Sequence, residues 1–289
     1  MYVSCVKEIS LLSRQRGIFT KHQKKMATRL FSLIFLALGC VGAKAFQFQT
    51  RESPALRHES CLGFSKLLIN QTGYTQYAHY YTDIPELTGF TMHYWFKLNK
   101  NFRSATTFNY ALDAEVNTDN VTLQLHQGKQ LHSPSHWTLH INDVLVVRLE
   151  SPPVLAGRWH HMLHSWDSTQ GAWSVFMDGG LLGYGYSEEG RGLVIPAGGI
   201  AVSGQHQNTA QFNGMDQGEG IEGWFTLFNM FSRPLLYPNS RGTLAAVARI
   251  ARQCSPDQPE GDVISWRSTP RKGYGGIMET PAIPVCGKF

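Results

Sequence analysis

Apolar and polar residues alternate with a period of two along most of the chain. Residues 90–98 (FTMHYWFKL) are rich in aromatics, and residues 106–110, 121–125, 137–141 and 144–149 follow in the same style. Residues 159–166, 173–177, 199–203 and 223–231 continue the series, each set off by Gly, Asn, Asp, Ser or Pro. Short alternating runs at this spacing, broken by turn signals such as Asn142-Asp143 and Asp178-Gly179-Gly180, predict an all-β, two-sheet antiparallel sandwich. One segment breaks the period. Residues 241–253 (RGTLAAVARIARQ) place Leu244, Val247 and Ile250 at helical spacing, with Asn239 or Ser240 before them as a cap. A single short helix is therefore expected to lie on the sandwich. The Pro-bearing residues 255–260 read as a loop leading into a last strand at 263–266. No internal repeat and no low-complexity linker interrupts the pattern, so residues 46–289 are read as one domain.

The N-terminus carries a different pattern. From Met26 the sequence MATRLFSLIFLALGCVGAKA has Arg29 as a basic start, an apolar stretch over 30–38, and Ala43-Lys44-Ala45 as a small-residue cleavage site. This is the order of a secretory signal peptide over 26–45, and its apolar core is shorter than the roughly 20 residues that span a bilayer. Residues 1–25 form a basic extension before it, or lie upstream of the true start. The leader changes the charge argument. Residues 1–45 hold eight of the 26 basic residues and one of the 21 acidic ones, so 18 face 20 afterwards and the mature chain is near neutral. No Lys/Arg cluster remains to bind nucleic acid. Of five cysteines, Cys61, Cys254 and Cys286 remain, which in an oxidising compartment implies one bridge and one odd thiol. The sequons at Asn70 and Asn120 fit a secreted surface.

A more specific likeness lies at 157–168 (GRWHHMLHSWDS). Here His161, Ser165, Trp166 and Ser168 match the pentraxin signature H-x-C-x-[ST]-W-x-[ST], with Leu163 in the cysteine position. Residues 86–93 (ELTGFTMH) resemble that family's first signature strand, with His93 where it has its other cysteine. Residues 204–208 (GQHQN) resemble its GQEQD loop, residues 229–231 its NMW strand, and 253–276 the ending of the long and neuronal pentraxins. The resemblance runs in register from about Cys61 to Cys286. It implies a jelly roll of the concanavalin A and laminin G kind, a disulfide between the sheets that this chain lacks, and a Cys61–Cys254 bridge that leaves Cys286 odd. A Cys254–Cys286 bridge is the alternative.

The family binds ligands through two calcium ions on one sheet face. The resemblance places Asp119, Asn120, His206, Gln207, Asn208, Asn213, Asp216 and Gln217 at the metal positions, with Glu219 as a substitute carboxylate. His206, Asn208 and Asn213 stand where the family has acids. Calcium takes six to eight oxygens and depends on carboxylates, so its hold here is expected to be weakened or lost. Leu125 falls about where the family's choline-contacting aromatic stands, and phosphocholine binding is not expected. Among the histidines, His160 and His164 should point to one side of their strand and His161 to the other.

Three functional classes follow. The first is a secreted, lectin-like protein of innate defence that binds a glycan or other anionic surface ligand. The second is a calcium-independent, laminin-G-like adhesion module with protein partners. The third, an enzyme, is not expected: there is no E-x-D-x-x-E strand, nucleophile elbow or phosphate loop, and Ser165 beside His161 and His164 lacks an orienting acid. The family's flat rings make a homo-oligomer the expected assembly, formed without an N-terminal coiled coil.

Overall fold

The computed structural model describes residues 64–72, 75–100, 104–112, 119–128, 133–207, 215, 218–235, 241–252 and 259–282. These fold as two seven-stranded antiparallel sheets. In chain order the strands are β1 (Ser65–Ile69), β2 (Tyr77–Tyr80), β3 (Gly89–Leu98), β4 (Ser104–Ala111), β5 (Asp119–His126), β6 (Ser135–Ile141) and β7 (Val144–Ser151). They continue as β8 (Trp159–Asp167), β9 (Ala172–Met177), β10 (Gly180–Tyr186), β11 (Ile200–Ser203), β12 (Gly223–Phe231), β13 (Arg271–Tyr274) and β14 (Met278–Pro281). One helix, α1 (Arg241–Arg252), is present among the described residues. Sheet 1 runs β10-β9-β8-β3-β12-β1-β14 and sheet 2 runs β13-β2-β11-β4-β5-β6-β7. The first two strands thus pair with the last two, β1 with β14 and β2 with β13.

Strand alternation explains the core. Phe90, Met92, Tyr94, Phe96 and Leu98 of β3 face inward, toward Val121, Leu123 and Leu125 of β5 and Trp137, Leu139 and Ile141 of β6. Phe228 joins the two sheets, stacking on Phe108 at 4.9 Å and Tyr80 at 5.3 Å. Tyr94 and Thr107 join hydroxyls across the same interior at 2.9 Å, which satisfies two buried polar groups. Two hairpins turn on pairs of residues with positive φ, Asn142-Asp143 between β6 and β7 and Asp178-Gly179 between β9 and β10. Both match the backbone twist of the strands they join.

The expected strands are present with ends shifted by a few residues, and the expected helix occupies its place. The last strand is a correction. Residues 263–266 form no strand beyond a single bridge from Ile264 to Met230. Val263 and Ile264 bond to Met230, and Ser265 turns back on itself, Thr269 N–H donating to Ser265 O at 2.9 Å and Ser265 N–H to Thr269 Oγ1 at 2.9 Å. The sheets are completed instead by β13 and β14.

A second correction concerns the signature positions. His93 and Leu163 are directly paired on β3 and β8, neighbours within sheet 1, so a bridge between them would tie two strands and not two sheets. Leu163 packs with Phe176 against Val247 and Ile250 of α1, and His93 stacks on Phe231 and lies against His161. His160 and His164 point to the core side, touching Phe96 and Trp137, and His161 points outward. The capping residues Asn239 and Ser240, the leader, and Cys61, Cys254 and Cys286 lie outside the described residues.

Candidate functional site

On β5 the apolar residues turn inward, which sends Asn120, Thr122, Gln124 and His126 to the outer face of sheet 2. The neighbouring strands lock them in a polar lattice. Asn109 Nδ2 donates to Thr122 Oγ1 at 2.9 Å, Gln124 Nε2 to Thr106 Oγ1 at 3.2 Å, and His126 Nε2 meets Thr138 Oγ1 at 3.1 Å. Above this lattice lies an open depression of about 200 Å³, lined by Thr122, Gln124, His140, Asp143 and His206.

Asn120 is a clasp. Its Oδ1 accepts from Leu112 N–H at 3.0 Å and its Nδ2 donates to Asn142 Oδ1 at 3.1 Å. Asn142 Nδ2 in turn donates to Val194 O at 2.9 Å. These bonds hold the β6–β7 turn, and with it Asp143, at the rim of the depression. They also enclose the amide nitrogen to which a glycan would be attached, in a residue only 4% exposed. Asn70 is different: it is partly exposed, and its Oδ1 accepts from Asn99 while its amide stays out of that bond.

On the opposite rim, His206 Nδ1 lies 2.7 Å from Glu219 Oε2. Gln205 and Gln207 flank it, both fully buried; Gln207 Nε2 donates to Ile200 O at 3.0 Å. Gln205 Nε2 and Gln207 Oε1 have no hydrogen-bond partner among the described residues. Further along the face His126 and His136 stack at 4.5 Å. Burial, then the His136 and Arg148 charges, push the His126 imidazole down to about 4. Burial and Arg148 also lower His136, against the pull of Glu150. Both rings are therefore neutral at neutral pH, and the carboxylates lining or flanking the depression are Asp143 and Glu219.

The metal expectation can be tested on these atoms. Gln207 Oε1 is a buried oxygen with no hydrogen-bond partner among the described residues, and Asp119 is the first residue of β5. Against this, Asn120 spends both amide atoms on protein partners, and an imidazole at His206 engages the carboxylate that replaces a lost acid. Among the described residues no three His, Cys, Asp or Glu side chains converge as a metal cluster. Asn208, Asn213, Asp216 and Gln217 lie outside the described residues.

The signature residues are elsewhere and structural. Ser165 Oγ accepts from Leu235 N–H at 2.6 Å and from the Thr91 hydroxyl at 3.2 Å, and donates to Phe90 O at 3.2 Å, so it is no nucleophile. Ser168 Oγ donates to Leu193 O at 2.5 Å, and Trp166 is fully buried against Phe90. Leu125 faces the core and cannot be a wall of the site, because the outward positions beside it are Gln124 and His126. Sequence reasoning passed over Asn109, Thr122, Gln124 and Asn142. The alternation of polar residues in β5 (DNVTLQLH) was the available signal for two of them. No helix among the described residues is long and apolar enough to cross a membrane.

Two seven-stranded antiparallel sheets packed as a jelly roll, one with a polar, open outer face, define a β-sandwich of the pentraxin kind. The chain belongs to the Pentaxin family, whose profile matches residues 69–281. It is 31% identical over 187 residues to "Sushi, von Willebrand factor type A, EGF and pentraxin domain-containing protein 1" of Rattus norvegicus. That match covers 63% of this chain but only 5% of the relative, so the chain spans a small part of that protein. It is 24% identical over 201 residues to C-reactive protein 1.1 of Limulus polyphemus, covering 68% of this chain and 76% of the relative. The crystal structure of a native heptameric SAP-like pentraxin from Limulus polyphemus superposes with a TM-score of 0.66 at 20% identity. It covers 77% of this chain and 97% of that one.

Proposed function

We propose that the chain is a secreted binding protein of the recognition and defence class, which takes a glycan or another anionic surface ligand on the outer face of sheet 2. One observation carries this reading. Thr122 and Gln124 of β5, His140 and Asp143 near the β6–β7 turn, and the distant His206 line one open, polar depression, and Asn120 clasps the turn that carries Asp143. Its floor of amides and hydroxyls suits the hydroxyl groups of a sugar, and nothing in it is arranged as a nucleophile with a base. The leader pattern at 26–45 supports export. Calcium dependence is weakened, because His206 replaces an acid and its imidazole occupies Glu219. Where calcium is held, Gln207 and Asp119 hold it, and its positive charge would add to ligand attraction there. The His206–Glu219 contact also supports the adhesion reading, since it gives the rim carboxylate a protein partner in place of a metal.

Calorimetry with calcium, followed by binding to a panel of immobilised glycans in calcium and in chelator, separates these readings. Weak calcium binding with glycan retention that survives chelator supports the proposal. Retention of extracellular proteins and of no glycan in either condition would establish the adhesion module instead. The heptameric relative supports assembly into a ring, which sedimentation at several concentrations tests directly; a monomer throughout would refute it.

A further inference from the structure

Sheet 1 carries a second polar feature, far from the depression because it lies on the other sheet. The outward residues of four neighbouring strands of sheet 1 alternate between cation and indole. Lys66 comes from β1, Trp224 from β12, Lys97 from β3 and Trp159 from β8. Trp224 is directly paired with Lys97, and Lys97 with Trp159. The Lys66 ammonium stands 4.6 Å from the Trp224 ring centroid, and Lys97 lies 5.4 Å from Trp159 and 6.0 Å from Trp224. All four side chains are partly exposed.

The indole faces stabilise these ammonium groups but do not neutralise them. Two like charges share one indole, and neither lysine has a carboxylate partner among the described residues. Glu222, just before β12, is held by Lys100 at 2.7 Å. Glu279 on β14 is drawn to the other side by Arg271 at 2.6 Å. Burial, and then the charge of Lys97, hold Lys66 below its ordinary range.

We infer that this strip is a binding site for a linear acidic polysaccharide, independent of the metal positions on sheet 2. Leu68 is the direct partner of Trp224, so Lys66 reaches that indole diagonally along β1. Its ammonium and that of Lys97 stand 4.6 and 6.0 Å from the same ring centroid, a separation of up to two strand spacings, roughly 10 Å, which matches two pyranose residues. A sugar ring presents a C–H face that stacks on the negative face of an indole, and a sulfate or carboxylate on alternate residues meets each ammonium. A linear polymer with charge on every second residue matches the sequence Lys-Trp-Lys-Trp across the strands. A lipid surface suits it less, because the side chains are half-buried in a sheet face and none projects to insert.

The probe is a sulfated heparin hexasaccharide, titrated into the full chain in chelator while tryptophan fluorescence is followed. The expected result is saturable quenching that weakens with salt. Lys66→Gln and Lys97→Gln should each weaken binding by about five- to tenfold. Lys272→Gln, which removes a lysine resting over Tyr274 on sheet 2, should leave it unchanged. Trp224→Phe, a mild change that keeps an aromatic face, should weaken binding less than Trp224→Leu, with thermal melting showing both variants folded. Equal loss for Lys97→Gln and Lys272→Gln would reduce the effect to net charge and overturn the proposal. So would binding of anionic vesicles or single-stranded DNA as tight as that of the hexasaccharide. Because chelator is present and His206 is untouched, failure here leaves the reading of the sheet 2 face standing, and the converse holds too.

Discussion

The outer faces of the two sheets differ in what lies over them. On sheet 1 the outward residues of the central strands, Thr91, His93 and Trp95 on β3 with His161, Leu163 and Ser165 on β8, are all buried, and α1 seals Leu163 with Val247 and Ile250. On sheet 2 the outward residues of β5 and β6, Thr122, Gln124 and His140, line an open depression. Strand alternation is the same on both. The cover decides what the outward positions become: under cover a histidine is core, and in the open it is a polar lining. The same residue type can therefore be read from sequence only as outward-facing, never as buried or exposed.

Acid should expose the difference most strongly. Burial pushes His93 and His164 down to about 3, and burial with the neighbouring His93 and His164 charges pushes His161 well down. Each is neutral in the folded state and titrates near 6.5 when unfolded, so the unfolded chain binds more protons as the pH falls. Stability is full above pH 6.5 and is lost toward pH 3. At pH 5 the loss is about 2 kcal/mol for His93 and about the same for His164, with His161 acting in the same direction, and urea midpoints at pH 7.5 and 5 measure it. An unchanged midpoint would mean that these rings are not sealed.

The next effect sharpens the geometry of sheet 1. Because His93 and Leu163 are directly paired, His93→Cys with Leu163→Cys should oxidise spontaneously. The bridge should contribute about 2–4 kcal/mol over the reduced double variant. Melting with and without reductant reads it, and failure to oxidise would disprove the pairing. On sheet 2, Asn120→Ala breaks the clasp and leaves Leu112 N–H and Asn142 without their partner, at a cost of about 1–3 kcal/mol. The mass of the secreted chain should fall with Asn70→Gln and stay constant with Asn120→Gln. The smallest effect is a gain: His206→Glu returns a carboxylate beside Glu219 and should tighten calcium by about tenfold, read by calorimetry.

The central strands were legible in the sequence because each alternates cleanly and carries bulky residues, as 90–98 does. The edges were not. β10 (GLLGYGY), β13 (RKGY) and β14 (METP) are short or broken by Gly and Pro, features that suit an edge and look like loops. Residues 263–266 misled in the opposite direction: Val, Ile and Trp favour a strand, but Ser265 closes a local turn. The rims of the site were legible through family resemblance. Their chemistry was not, since the contact between His206 and Glu219 joins residues 13 positions apart with no alternating pattern in the sequence between them, and the clasp at Asn120 depends on a turn 22 residues away.

The pairing of β1 with β14 and β2 with β13 has a kinetic consequence. Neither sheet can be completed until the last strands of the chain have been made, so the N-terminal strands wait with their edges unpaired. Contacts of such long sequence separation close slowly. During that interval the apolar faces of β1 and β2 are open to aggregation, and chaperone binding to nascent chains should persist until β13 and β14 emerge. A chain truncated before Arg271 would accordingly be expected to fail in maturation rather than in ligand binding.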